Sequence, residues 1–290
     1  MVSMNRLTRD ERAHILHLLC EGSSIRAITR LTGASKNTVI KLVIDAGKAA
    51  WWYQDRVLRN LTCKRVQVDE IWNFVYAKQK NIPMAKTAPV DAGDVWTWTA
   101  IDADTKLMPS WFIGGRDSDA AIIFMDDLAS RLANRIQLTS DDHKAYLEAV
   151  EGAFGADIDY AILVKIYGAS PDSAKGRYSP AECTGARKGR IEGNPDPKHV
   201  STSFSERSNL TLRMQCRRFT RLTNAFSKKV ENHTHAVALH MMYYNFVRIH
   251  QTLRTTPAMA AGITKRLWEM TDVVDVLEAF EAGRDYGNSN

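Results

Sequence analysis

A chain of 290 residues, 44% hydrophobic and 25% charged, can bury a sizeable core and by length divides into two folded units. No run of about 18 apolar residues occurs, and the start MVSMNRLTRDER lacks the apolar stretch of a secretory signal, so a membrane protein is excluded and a cytoplasmic one expected. Cys20, Cys63, Cys183 and Cys216 form no C-x-x-C pair, which argues against a zinc finger or a disulfide framework, while a net charge of +6 and a pI near 9.1 favour a polyanionic partner.

The spacing predicts three short helices over residues 6–48. Thr8 and Glu11 stand at capping-box separation, with Ile15, Leu18 and Leu19 as the buried stripe. Ile25, Ile28 and Leu31 give a second apolar face, Thr32-Gly33-Ala34 a turn, and Ser35 the start of a third helix with Val39, Leu42 and Val43 inside. Helix, glycine turn, helix is the helix-turn-helix pattern, in which Ser35, Lys36, Asn37, Thr38 and Lys41 would face a DNA major groove. A small helical bundle used for packing is the alternative; ten Lys or Arg against five Asp or Glu in residues 1–60 favour DNA. Trp51 and Trp52 read as interdomain packing.

From residue 64 the period is that of strands. Arg65 to Trp72, Val95 to Ile101 and Leu107 to Ile113 read as strands, the last two as a hairpin; Asp117 to Asn134 reads as a helix. Ile136 to Thr139 is a strand ending at Ser140-Asp141-Asp142, His143 to Phe154 a helix and Tyr160 to Ile166 a strand, which together imply an α/β mixed sheet flanked by helices. Residues 168–202, rich in Gly, Pro and charge, read as a long loop or insertion carrying Arg187, Lys188, Arg190 and Lys198. A helix then runs from Ser205 past Phe226 and another over His233 to Val247. The predicted units are a helix-turn-helix domain (1–60), a catalytic core (61–262) and a C-terminal helical tail (263–290).

Three acids stand where metal-assisted phosphodiester chemistry needs them. Such chemistry uses two Mg²⁺ ions about 3.5–4 Å apart, held by converging carboxylates. Asp69 lies within a strand and Asp141 at the carboxyl end of another; if the strands are adjacent, both side chains reach one edge, and Glu206 closes the cluster from a helix. Each has a structural alternative: Asp69 as an edge-strand surface residue, Asp141 as a helix cap (Asp142 or Ser140 being better placed), Glu206 as the partner of Ser203 in a capping box. Asp102, a rival second ligand, sits in Asp102-Ala103-Asp104-Thr105-Lys106, which looks like hairpin-turn chemistry.

The chain resembles the DDE transposases of bacterial insertion sequences, which carry a ribonuclease-H-like catalytic core. The resemblance rests on Val68-Asp69-Glu70-Ile71-Trp72, on Leu138 to Tyr146, on Glu206 to Arg213, on Arg218 to Ser227, and on Tyr244 to His250 with Thr256-Pro257, spanning about residues 65–262. It implies that Asp69, Asp141 and Glu206 are the catalytic acids, and that Asn209 and Arg213, on nearly the same helix face as Glu206, lie at the active site beside the DNA backbone. The basic run from Arg207 to Lys229, with Arg217 in it, would contact phosphates. Asn245, Arg248 and His250 would touch DNA or simply pack a helix end.

Two departures from the family stand out. Asp141 and Glu206 are 65 positions apart, longer than in retroviral-type integrases, and no Cys or His zinc module precedes the helix-turn-helix. The resulting expectation is an enzyme that binds insertion-sequence ends and, with two Mg²⁺ or Mn²⁺ ions, catalyses DNA cleavage and strand transfer. Water attacks first, the freed 3′-hydroxyl then attacks target DNA, and no covalent protein intermediate forms. Its partners would be double-stranded DNA, at transposon ends and target, and further copies of itself in a homodimer or higher oligomer. The alternatives are a ribonuclease-H-like nuclease without joining activity and a non-catalytic helix-turn-helix regulator.

Overall fold

Thr8 and Glu11 cap each other's backbone, the Thr8 hydroxyl accepting from the Glu11 N–H and the Glu11 carboxylate from the Thr8 N–H, and so start α1 (Arg9–Cys20). Ser24 and Ser35 cap α2 (Ile25–Thr32) and α3 (Lys36–Val57) through single hydroxyl acceptors. Gly33, at φ +74°, takes the left-handed conformation that stops α2 just before the Ser35 cap. The computed structural model describes residues 7–168, 183–220 and 223–284.

The first turn of α3 is exposed, and the rest buries Val39, Leu42, Val43, Ala46, Ala49, Ala50 and Tyr53. What covers them includes the far end of the chain: α9 (Met270–Glu281) returns to α1 and α3. Arg9 Nε lies 2.7 Å from Asp275 Oδ1, Arg12 pairs with Glu278 and Glu281, Trp52 packs on Phe280 with ring centroids 5.7 Å apart, and Tyr53 packs on Trp268. The apolar side of α9 is buried on the N-terminal helices and on residues 243–247, in one continuous core with them. Trp52 packs between elements as expected, whereas Trp51 is 55% exposed.

Six strands form one mixed sheet among the described residues: β1 (Arg65–Val75), β2 (Gly93–Asp102), β3 (Trp111–Gly114), β4 (Gln137–Ser140), β5 (Asp159–Tyr167) and β6 (Cys183–Glu192), in the order β3-β2-β1-β4-β5-β6. The pairs β3/β2, β2/β1 and β5/β6 are antiparallel; β1/β4 and β4/β5 are parallel. Alternation along β1 sends Val66 and Val68 to one face, where α4 (Ser118–Arg131) and α5 (Ala145–Phe154) cover them, with Trp98 against Phe124 and Tyr146. The other face presents Gln67, Asp69 and Ile71 to α6 (Ser203–Gln215) and α7 (Val230–Met242), where Ile71, Leu212, Val237 and Met241 form a second cluster.

Several expected boundaries move. The hairpin's second strand starts at Trp111 instead of Leu107, because Asp102 Oδ2 takes the Thr105 N–H and hydroxyl and holds residues 102–107 in a turn. Part of the supposed loop at 168–202 is strand β6, which adds an edge to the sheet; residues 169–182 lie outside the described ones. The long basic helix ends at Gln215, since Cys216 is extended and Arg217–Phe219 makes a single 3₁₀ turn that buries Phe219. After α7, a π-helical turn (Tyr243–Val247) and the short α8 (Pro257–Ala260) lead to α9. Among the described residues no helix is long and apolar enough to cross a membrane.

Gly47 lets α3 and α7 touch. A Cβ there would lie 2.6 Å from the His235 Cα. Gly47→Ala is therefore expected to destabilise the fold by about 1–3 kcal/mol through overpacking, despite alanine's better helix propensity, and the urea midpoint measures it. A midpoint at or above the parent's would show that the crossing tolerates the methyl group.

Candidate functional site

β4 is short. It ends at Ser140, whose hydroxyl meets the Tyr160 hydroxyl at 2.7 Å, and the chain then turns out of the sheet as Asp141 Oδ1 accepts the His143 N–H at 3.0 Å. β1, paired with β4 only from Arg65 to Gln67, continues for eight residues. Asp69 thus stands beside the open space past the end of β4, where Asp141 emerges. The crevice at the carboxyl ends of parallel strands is where open α/β sheets place their chemistry.

Three carboxylates, of Asp69, Glu70 and Asp141, present oxygens within 4.8 Å of one another, a group able to hold a metal ion. Asp69 Oδ1 accepts the Glu70 N–H at 2.8 Å and its Oδ2 accepts from Asn209 Nδ2, on α6, at 2.8 Å. Burial first, then the charges of Glu70 and Asp141, push the Asp69 carboxyl up to about 7. β1 is an inner strand, so the edge-strand alternative for Asp69 falls. Asp141 caps its own turn rather than a helix: α5 starts at Ala145 after Lys144, without a side-chain cap from Ser140, Asp141 or Asp142.

Glu206 sits apart from that group. Its Oε1 is ion-paired with Lys165 of β5 and accepts the Thr202 hydroxyl, while its charge still reaches Asp69 and adds to the rise in that carboxyl. The capping box with Ser203 does not form, because Ser203 is already the first helical residue and Thr202 precedes it as the cap position. Asp102 is consumed in its turn, as its sequence context suggested.

Glu70, Arg116 and Tyr146 are members that sequence reasoning assigned no role. Glu70 points to the opposite face of β1 from Asp69, where Oε1 accepts from Arg116 Nε at 2.7 Å and Oε2 from the Tyr146 hydroxyl at 2.9 Å. Arg116 lies over the Trp96 ring at 4.9 Å and brings its second nitrogen to 3.9 Å from Asp141 Oδ2. Two successive acids in a strand rich in apolar residues were the only signal for Glu70; nothing local marked Arg116.

The expected DNA-contacting residues divide. Lys36 and Asn37 are exposed at the start of α3; Ser35 and Thr38 are occupied in the cap; Lys41 is exposed but ion-paired with Asp45. Asn209 is buried against Asp69, Arg213 is half-buried one turn further along α6, and Arg217 has a buried Nε without a hydrogen-bond partner. Asn245 is structural, binding the Met108 N–H and C=O.

The donor set fits a divalent cation. It consists of hard carboxylate oxygens under mutual repulsion, and Asn209 Oδ1 is buried beside them without a hydrogen-bond partner. Comparison with protein-family models and with curated proteins finds no match.

Asp69 bears on stability with a definite sign. Its carboxyl titrates near 7 when folded and near 3.9 unfolded, so the folded state holds the extra proton between those values and stability falls as pH rises from about 4 to 7. Asp69→Asn should melt about 5 °C or more above the parent at pH 8, with the gap closing below pH 4. Mg²⁺ should raise the parent's midpoint at pH 8 and leave that of Asp69→Asn unmoved; equal responses to Mg²⁺ would remove Asp69 from the metal site.

Proposed function

We propose that this chain is a DDE transposase that binds insertion-sequence ends and catalyses metal-dependent DNA cleavage and strand transfer on a ribonuclease-H-like core. The observation carrying the reading is the convergence of Asp69 and Asp141 at the end of β4, with α6 laid across them so that Asn209 holds Asp69 and Glu206 adds its charge. A six-stranded mixed sheet flanked by helices is compatible with that core.

In this reading Asp69 and Asp141 are the principal ligands of Mg²⁺ or Mn²⁺, two ions in the full site, with Glu206 as the third acid. Bound metal supplies Lewis acidity toward the scissile phosphate and lowers the pKa of the attacking oxygen. The chain's own groups prepare the site. Asn209 fixes the Asp69 carboxylate in rotation, Arg116 and Tyr146 hold the Glu70 carboxylate, and Lys165 is ion-paired with Glu206.

Recognition of the ends falls to the N-terminal helices as a helix-turn-helix. The exposed Lys36 and Asn37 and the rim residue Lys41 would read the duplex, with Arg213 and Arg217 against phosphates near the chemistry. The active form would be a homodimer or higher oligomer bridging two ends, working in the cytoplasm.

A strand-transfer assay with donor ends, Mg²⁺ or Mn²⁺ and a plasmid target tests this. Asp69→Asn, Asp141→Asn and Glu206→Gln should each abolish cleavage and joining while end binding survives, and Asn209→Ala should cost about 10- to 100-fold. Glu70→Gln should retain measurable joining; if instead Glu206→Gln is active and Glu70→Gln inert, the third acid is Glu70. Cleavage without joined product would make the protein a nuclease, and binding without either reaction a regulator.

A further inference from the structure

At the end of α7 three nitrogen atoms are buried without a hydrogen-bond partner: His240 Nδ1, Arg248 Nη1 and His250 Nδ1. A buried polar atom left unmet costs stability, and three such nitrogens in one corner favour a polar partner there. His240 is 3% exposed and its ring stacks on Tyr244 with centroids 6.5 Å apart, so it has no rotational escape to solvent. Arg248 and His250 are half-buried, which leaves the corner reachable from outside.

The surroundings are cationic. Besides burial, Lys106, Arg248 and Arg207 all act to lower the His250 imidazole pKa, and burial with Arg248 takes His240 down to about 3. Both rings are therefore held toward the neutral form, each with one ring N–H, while Arg248, Lys106 and Arg207 supply charge. Lys106 is braced over the Phe204 ring and against the Ala103 carbonyl, on the loop after β2; Arg207 follows Glu206 on α6.

The neighbouring acids are engaged elsewhere. Asp104 pairs with Arg65, Asp102 takes Thr105, and Glu21 accepts the Tyr243 hydroxyl. A guanidinium with an open N–H and two imidazoles, in the field of Lys106 and Arg207, suit a tetrahedral oxyanion.

We propose that this corner is an oxyanion subsite that takes a phosphate group, supplied in the working protein by the backbone of the DNA strand entering the acidic crevice. The owner of the phosphate rests on the reading given under Proposed function; the subsite does not. A free phosphate ion offers the same chemistry, and the two arms of the test separate the sources.

In the first arm the melting midpoint of the full chain is followed against sodium phosphate, with chloride at equal ionic strength as control. The parent should show a saturable rise that Arg248→Gln loses and Arg248→Lys keeps in part. Because Arg248 Nη1 has no hydrogen-bond partner, Arg248→Gln loses no bond at that atom and should still fold without phosphate. Should Arg248→Gln fail to fold, that expectation is overturned, and His250→Gln, nearer the surface, carries the phosphate test with the same expected loss.

In the second arm, duplex oligonucleotide binding is measured against salt concentration. Arg248→Gln should flatten the slope of log K on log salt by about one, the mark of one lost phosphate contact. Asp69→Asn should leave the phosphate response and the slope intact, so failure of the catalytic reading and failure of the subsite look different. No saturable phosphate response in the parent, or an equal one in Arg248→Gln, overturns the subsite. A phosphate response lost in Arg248→Gln with an unchanged salt slope overturns the assignment to DNA in favour of free phosphate.

Discussion

The early end of β4 is the constraint on which the site depends. Where β4 stops, its neighbours have lost a strand on which to hydrogen-bond, yet β1 runs on because β2 still pairs with it as far as Val75. The gap so created is lined by two carboxylates brought close from different strands. Repulsion between them is held in check from three sides: the backbone N–H groups that Asp69 and Asp141 accept, the Asn209 amide, and the Arg116 guanidinium nearby. The rise of the Asp69 carboxyl comes first from burial, then from the charges of Glu70 and Asp141. Carboxylates gathered in this way could hold a cation.

Much of this was legible in the sequence wherever the cause was local. Thr8 with Glu11, Ser35 at the start of α3, and Asp102 with Thr105 are contacts within a few residues, and each could be read from its own neighbourhood. Asp69 and Asp141 were legible for the same reason, one inside a strand pattern and the other at a strand's end. What escaped depends on distant parts of the chain meeting. Arg116 reaches Glu70 across 46 positions, Lys165 reaches Glu206 across 41, and Arg9 reaches Asp275 across 266. No periodicity in one segment encodes a partner in another, so the pairing of Glu206, the committed state of Glu70 and the docking of α9 waited for the fold.

Glu70 and Glu206 illustrate how two acids of one type take different parts. Successive residues of a strand face opposite ways, so Glu70 is driven into the α4/α5 side, where a buried carboxylate must be fully bonded, and Arg116 with Tyr146 provide that. Glu206 remains 43% exposed on a helix, with a single cation for company. The first is fixed by the cost of disturbing it; the second can change partner cheaply. Proximity to Asp69 alone would rank them the other way.

The length of α3 has a consequence of its own. At 22 residues the helix spans about 33 Å. Its exposed first turn and its packed middle and last turns belong to one rigid rod, clamped along its side by α7 and α9. Whatever touches the exposed first turn is therefore coupled rigidly to α7, α9 and the sheet beyond them. Adding or removing a residue within the rod would turn that first turn by about 100° relative to the sheet.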